Sequence, residues 1–545
     1  MKKSLIYYLG IFALSLIVCL PLILPYFHAG FFPTHDGEWA VVRLSDMFRE
    51  LKDLQFPVRY SGYLNFQYGY PLFNFAYPLP YYLGTVFVAL KLGFVNSIKI
   101  LFSLSVILSF FSMFILAKDL WRNKWAGLAS AILYVYVPYR IIDLYVRGSI
   151  GESLSFVLFP LIFLSIKKIY ERKNILDMLS VGVLYALLIA THNIMTVLFG
   201  LVVLAIGVLA SFKKEIKFLI NLFLSLIFAL CFSAFFWMPA IFEKSLILLS
   251  KIPIADRSIY FVKPLQLIIP QWGYGTPTEA NPFGYQIGIP QLIALILVLI
   301  FSLINIKKTK KAKFSLFLII TTLSLSFLFF SQSSFIWKSV PLLSEINYPW
   351  TLLGVMMFLT SLIAGYLATL GKKSVFLVFV IAVLAILLFI PQAKPQYFVN
   401  RGNAFYLTNQ ATTTSSSELM PLWVKQLPLQ SWKDKIEVAS GNIQNVSYNS
   451  KKITFSLNLT KSEMVRINTI YYPGWEISVD GIKTKINYNN KFGVMSLRVN
   501  SGMHVIKGEF KETPLRLLSD LISFFSILSL IAYLFFRFIL KFKHS

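Results

Sequence analysis

PLPYYLGTVFVALKLGF, residues 78–94, decides how this chain is threaded. It is apolar enough to suggest a membrane crossing, yet Pro71, Pro78 and Pro80 crowd its start, as suits an interrupted segment. Charge on the flanking loops settles the reading. With Lys2 and Lys3 inside and 78–94 not crossing, the inside loops are 118–124 (Lys118, Arg122, Lys124), 167–173 (Lys167, Lys168, Arg172, Lys173) and 212–217 (Lys213, Lys214, Lys217). Lys307, Lys308, Lys310, Lys311 and Lys313 follow, then Lys372 with Lys373, and a tail with Arg537, Lys541 and Lys543. Every basic loop then faces the cytoplasm, as the positive-inside bias requires. If 78–94 crossed, every later basic loop would land outside. A juxtamembrane or re-entrant helix is therefore expected at 78–94.

A span needs about 20 apolar residues. The runs 5–24, 97–117, 125–139, 152–167, 175–191, 193–211, 216–238, 288–306, 314–331, 349–371, 374–391 and 515–538 give twelve expected spans. Both termini are then cytoplasmic. The first run follows a basic N-terminus but is nearly signal-anchor length and lacks a small-x-small site, so it reads as an uncleaved span. Composition agrees with a polytopic membrane protein: 57% of the 545 residues are hydrophobic and 14% are charged, against about 25% charged in soluble domains. The net charge of +27 belongs to the inside loops, so no nucleic-acid partner is implied. Cys19 and Cys231 lie inside apolar runs and offer neither a disulfide framework nor a thiolate metal site.

The expected division is a membrane domain over 1–391, an extracytoplasmic β-rich domain over 392–514, and a final span with basic tail over 515–545. In the second, Ile453, Phe455, Leu457 and Leu459 alternate with polar residues, a strand period. Asp480-Gly481 inside WEISVDGIKTKI signals a hairpin, and MSLRVNSGMHVIKGEF reads as another. A small β-sandwich is expected.

The outer loops hold the chemistry. PTHDGEW, residues 33–39, places His35, Asp36 and Glu38 together. Apolar residues then recur at Ala40, Val41, Leu44, Met47, Phe48, Leu51 and Leu54, with Arg43, Asp46, Arg49, Glu50, Lys52 and Asp53 between them. That is the period of an amphipathic helix lying in the membrane plane. Locally, Asp36 reads as its N-cap. A second cluster, Arg140, Asp143, Arg147 and Glu152, falls on the same side, with His192 in a tight turn and Arg257, Trp272 and Tyr274 in a later aromatic loop. An arginine fork suits phosphate, and acids at membrane depth are costly without partners or work.

PTHDGEW, FPVRYSGYLNFQYGYPLFNFAYPLPYYLG, IIDLYVRGSIGESLSF, ATHN and INYPW together resemble the bacterial membrane family labelled 6-pyruvoyl-tetrahydropterin synthase-related, over roughly residues 1–390. YYPGWEISVDGIKTKI and GMHVIKGEF resemble the outer β-domain of YfhO-like membrane proteins. Both groups are similar to the GT-C superfamily of membrane glycosyltransferases. The pterin label itself implies little, since the five histidines lack metal-ligand spacing. What the resemblance implies is a polytopic α-helical GT-C-like fold with two juxtamembrane helices in its first outer loop, in the bacterial cytoplasmic membrane. It also implies sugar transfer on the outer face, from a polyprenyl-phosphate carrier to a glycan, lipid or protein acceptor. Asp36 would be the general base, with Glu38 second and His35 beside them. Arg147 would meet the carrier phosphate, then Arg257 and Arg140. Asp143 and Glu152 would orient these or bind sugar hydroxyls, and His192, Trp272 and Tyr274 would line the substrate. A His–Asp pair alone is a poor cage for a hard cation, so no metal site is assigned, while a divalent cation beside Asp36 stays open. One position departs from the family pattern: Thr351 follows Pro349-Trp350 where Arg is frequent. Two other readings stand beside this one, a lipid-linked glycan flippase and a non-catalytic envelope-assembly scaffold.

Overall fold

The computed structural model describes residues 2–276, 283–408 and 412–543. Among them, eight helices are long and apolar enough to cross a membrane, or ten if two bent pairs each count as one span. The expected twelve adds the apolar helices Ile175–Thr191 and Ile289–Asn305, which are shorter at 17 residues, a rise of about 25 Å each. Leu79–Ala89 is an 11-residue helix; its rise of about 17 Å is roughly half a hydrocarbon core.

The chain groups into two compact units, each assembled from separated segments. The first comprises residues 1–40, 95–230 and 255–401. At its centre the Pro349–Thr369 stretch is buried along its whole apolar window. Leu353–Ala364 has no polar stripe, and a helix apolar all round belongs inside a bundle. Nearby, Lys124–Val135 and Pro138–Arg147 meet at 46°. Pro138 has no N–H to continue the ladder. Gln291 Nε2 donates instead to the freed carbonyls of Leu133 and Tyr136 at 3.2 and 3.1 Å. The run 125–139 is expected as one span; the helix instead breaks inside it, ahead of Pro138.

The second unit comprises residues 41–94, 231–254 and 402–545. The Gly37–Lys52 helix enters it and buries Val41, Leu44 and Met47. Its acidic face differs from expectation. Asp46 and Glu50 are fully buried rather than solvated, because residues 55–62 fold back with donors. Ser61 Oγ donates to Asp46, while Gln55 Nε2 and Gly62 N donate to Glu50 at 2.6 and 2.7 Å. The 216–238 run also bends, by 79° between Ile216–Phe232 and Ala234–Phe242.

Among the described residues, eight strands complete this unit: β1 (Ile436–Glu437), β2 (Asn442–Tyr448), β3 (Lys452–Leu459), β4 (Glu463–Ile470), β5 (Trp475–Val479), β6 (Ile482–Thr484), β7 (Val494–Val499) and β8 (Gly502–Phe510). They form an antiparallel three-stranded sheet, β1-β4-β7, and an antiparallel five-stranded sheet, β2-β3-β8-β5-β6. The β3 alternation is realised: Ile453, Phe455, Leu457 and Leu459 are all buried. Asp480 and Gly481 both take positive φ, 51° and 85°, in the tight turn joining β5 to β6. The second expected hairpin is corrected. β7 pairs with β4, and β8 lies between β3 and β5. Residues 500–501 therefore carry the chain from one sheet to the other, since both edges of β8 are taken.

A charged knot ties this unit together. Glu243 accepts from Arg516 Nε and Nη2 at 3.0 and 2.8 Å, from Asn74 Nδ2 at 2.8 Å and from the Tyr472 hydroxyl at 3.0 Å. Arg59 Nη2 donates to Asp520 at 2.6 Å. Buried charges persist only when so paired.

Candidate functional site

The acid that opens the Gly37–Lys52 helix does not cap it. The Asp36 carbonyl accepts from Ala40 N at 2.9 Å, but the side-chain cap is Thr34, whose Oγ1 accepts from Gly37 N at 2.9 Å. Among the described residues no hydrogen bond engages the half-buried Asp36 carboxylate. A local explanation of this acid as a helix cap therefore fails.

Backbone pairing holds Asp36 in place. His35 N donates to Val146 O at 3.0 Å and Asp36 N to Arg147 O at 2.7 Å. Gly148 makes the approach possible. Its φ is +65°, and a Cβ there would lie 2.1 Å from Thr34 Oγ1 and 2.8 Å from Gly37 N. The loop is also tied at Phe31, which exchanges two 2.8 Å backbone bonds with Val399. Lys99 Nζ donates to the carbonyls of His28 and Gly30 at 2.6 and 3.0 Å.

Opposite Asp36 lies a dense polar cluster. Asp143–Arg147 forms a π-helical turn after the bend, a local geometry frequent at functional sites. Arg147 Nη1 pairs with Glu152 Oε1 and donates to the Tyr139 hydroxyl at 3.2 Å. Tyr139 in turn donates to Glu152 Oε2 at 2.8 Å. Among the described residues Nε and Nη2 of Arg147 carry no hydrogen bond, and its guanidinium sits 4.7 Å from the centroid of the Trp350 ring. His192 Nδ1 accepts from Met195 N at 3.2 Å, which leaves the other nitrogen, 3.9 Å from Glu152, to carry the proton of the neutral ring. The Asp36 carboxylate acts electrostatically on His35, Arg147 and His192. Burial, and then Arg147, push the His35 pKa down, so it is neutral near pH 7. His35 Nε2 and Trp350 Nε1 are buried with no hydrogen-bond partner among the described residues.

The other expected residues separate by their contacts. Asp143 accepts from Ser153 Oγ at 2.5 Å, and Arg140 donates to Ser153 O, Ser105 Oγ and Ser109 Oγ at 3.1–3.3 Å. Both are fully buried, and their bonds brace the bend. Glu38 pairs with Arg401 at 2.7 Å. Arg257 is committed to the backbone carbonyls of Ser344 and Ile346. Trp272 and Tyr274 pack edge to face at 5.9 Å, and the Tyr274 hydroxyl donates to Lys394 O. Thr351 donates back to Tyr348 O at 2.7 Å, as a helix-start residue does. Tyr139 and Trp350 complete the cluster; Trp350 lies in the INYPW motif, but neither ring carries a charge that would single it out as a site residue. Among the described residues no group of three or more His, Cys, Asp or Glu side chains is placed to hold a metal ion.

Fold and site define a polytopic membrane protein with an acid and an arginine–glutamate cluster beside its first loop. The chain belongs to the 6-pyruvoyl-tetrahydropterin synthase related membrane-protein family, whose profile matches residues 73–397. A Lactococcus lactis subsp. cremoris (strain MG1363) protein, described as "Uncharacterized protein", is 27% identical over 350 residues, covering 62% of this chain; the chain spans 55% of that relative's length. Solved structures with some likeness include ArnT from Cupriavidus metallidurans bound to undecaprenyl phosphate. It shows a TM-score of 0.40 and 11% identity over 71% of this chain and 64% of that one. The apo Archaeoglobus fulgidus oligosaccharyltransferase shows 0.41 and 13% over 76% and 61%. The arabinofuranosyltransferase AftD from Mycobacteria shows 0.42 and 12% over 74% and 27%.

Proposed function

We propose that the protein transfers a sugar from a polyprenyl-phosphate carrier to a hydroxyl of a glycan, lipid or protein acceptor, with Asp36 as general base. The observation that carries this reading is the Asp36 carboxylate. It is half-buried, free of hydrogen bonds among the described residues, and pinned by its own backbone to Arg147. A carboxylate left without hydrogen bonds is available to accept a proton. In an inverting displacement Asp36 takes the acceptor proton as the acceptor attacks the anomeric carbon, and the carbon–oxygen bond to the carrier phosphate breaks. Arg147 offers its two unengaged guanidinium nitrogens to the departing phosphate dianion. Glu152, Tyr139 and Trp350 hold that guanidinium in place, so little reorganisation accompanies the charge shift. The parity of the basic loops supports the same reading, with this cluster and the β-domain outside a bacterial cytoplasmic membrane and both termini inside.

The test is release of polyprenyl phosphate from labelled polyprenyl-phosphate sugar by the purified full chain. Asp36→Asn should reduce release by roughly 10²–10⁴-fold with unchanged thermal unfolding. Equal release by wild type and variant removes the assignment. Transbilayer movement of the lipid without bond cleavage selects the flippase reading instead.

A further inference from the structure

The first unit contains a concave site that sugar transfer does not use. A crevice of about 320 Å³ opens where the helices Ile150–Arg172 and Asn193–Phe212 end and the helix Lys310–Ser326 begins. Its volume lies at the small end of ligand-pocket sizes. Phe163, Ile206, Leu209 and Phe314 wall it, and Trp121 lies among its lining. Four lysines and one glutamate stand at the rim: Lys167, Lys213, Lys310, Lys311 and Glu171.

The rim charges are not equivalent. Lys167 is neutralised by Asp119 and Glu171, each at 2.7 Å. Lys311 donates to the Trp121 carbonyl at 2.6 Å. Lys213 and Lys310 are exposed, and among the described residues no carboxylate pairs with either. The crevice thus joins an apolar slot to two unspent ammonium groups. Glu152 and Lys167 lie on one helix, and His192 and Lys213 flank another. At 1.5 Å per residue the rim is about 22–32 Å along those helices from Glu152 and His192, against a hydrocarbon core of about 30 Å.

We infer that this crevice binds an anionic phospholipid of the leaflet on the basic-loop side, its phosphate between Lys213 and Lys310 and one acyl chain against Phe163, Ile206 and Phe314. Charge complementarity selects that occupant: a zwitterionic headgroup would gain little from two free lysines, while a soluble anion would leave the apolar walls wet.

The experiment uses the full chain in lipid discs. Quenching of Trp121 by dibrominated phosphatidylglycerol and by dibrominated phosphatidylcholine is compared, with Trp121→Phe isolating the signal. A preference of up to ~30-fold for phosphatidylglycerol is expected from two basic residues. Lys213→Gln/Lys310→Gln should reduce it to under about 3-fold, while Lys372→Gln/Lys373→Gln, an equal charge loss outside the crevice, should leave it intact. Equal quenching by both lipids overturns the inference, as does a preference unchanged in the first double variant. Loss of the preference on adding inorganic phosphate would mean that a free anion, not a lipid, is recognised. Native mass spectrometry of retained lipid gives the same comparison without relying on Trp121.

Discussion

Glu243 and Arg516 offer a direct test of what holds the second unit together. Glu243 is 6% exposed and Arg516 is fully buried, so solvent screens their attraction little. The carboxylate accepts from Arg516, Asn74 and Tyr472 at 2.8–3.2 Å. Glu243→Gln removes the charge and turns an NH₂ toward donors, leaving the guanidinium buried without its counter-ion. Removing one partner of a buried pair costs about 3–5 kcal/mol. For a unit of roughly 220 residues, each kcal/mol moves Tm by about 2–4 °C, so a fall of ~6–20 °C is expected. Arg516→Met should cost a similar amount, because the carboxylate is then stranded. The double variant Glu243→Gln/Arg516→Met leaves no buried net charge and should recover at least half of the summed loss. The assay is fluorescence-detected thermal unfolding of the purified full chain at one fixed scan rate, since irreversible unfolding makes the midpoint rate-dependent. A Glu243→Gln midpoint within about 2 °C of wild type, or losses that simply add in the double variant, would refute the knot as a source of stability.

Two further outcomes follow from the geometry. Gly148→Ala puts a Cβ into Thr34 Oγ1 and the Gly37 amide at a positive φ; the loop bearing Asp36 must shift by an ångström-scale distance, and polyprenyl-phosphate release should fall about 10²-fold. Adding Thr34→Ala should recover part of that loss and no more, because the Gly37 backbone still obstructs; a wild-type rate in Gly148→Ala would show that the Asp36–Arg147 juxtaposition is unimportant. Burial raises the Asp46 pKa to about 6, against the smaller pull of Arg49 and Ser61, and holds Glu50 well above the usual carboxylate range. A folded-state pKa above the unfolded one means that the Asp46 contribution is full below about pH 4 and is lost as pH rises through about 6. The apparent Tm should thus fall between pH 5 and 7.5, with a shallower fall in Asp46→Asn; an identical slope in that variant would count against Asp46.

The sequence by itself determined the membrane class, the strand alternation of β3, the Asp480-Gly481 turn and the apolar stripe of the Gly37–Lys52 helix. Each follows from composition or from a period of 2 or 3.6 residues, and those are local properties. It also singled out Asp36, Arg147 and Glu152, because charge is conspicuous among apolar residues. Contacts between distant segments decided the rest. Thr34, not Asp36, caps the first-loop helix. Residues 55–62 bury Asp46 and Glu50 within a face that is polar in sequence. The β7–β8 turn changes sheets because β3 and β5 already occupy both edges of β8. Tyr139 and Trp350 join the cluster only because a proline-bent helix and a wholly buried helix meet there. Periodicity shows which face of an element is apolar; which partner satisfies a buried polar atom depends on chain hundreds of residues away, as Glu243 shows with Asn74, Tyr472 and Arg516.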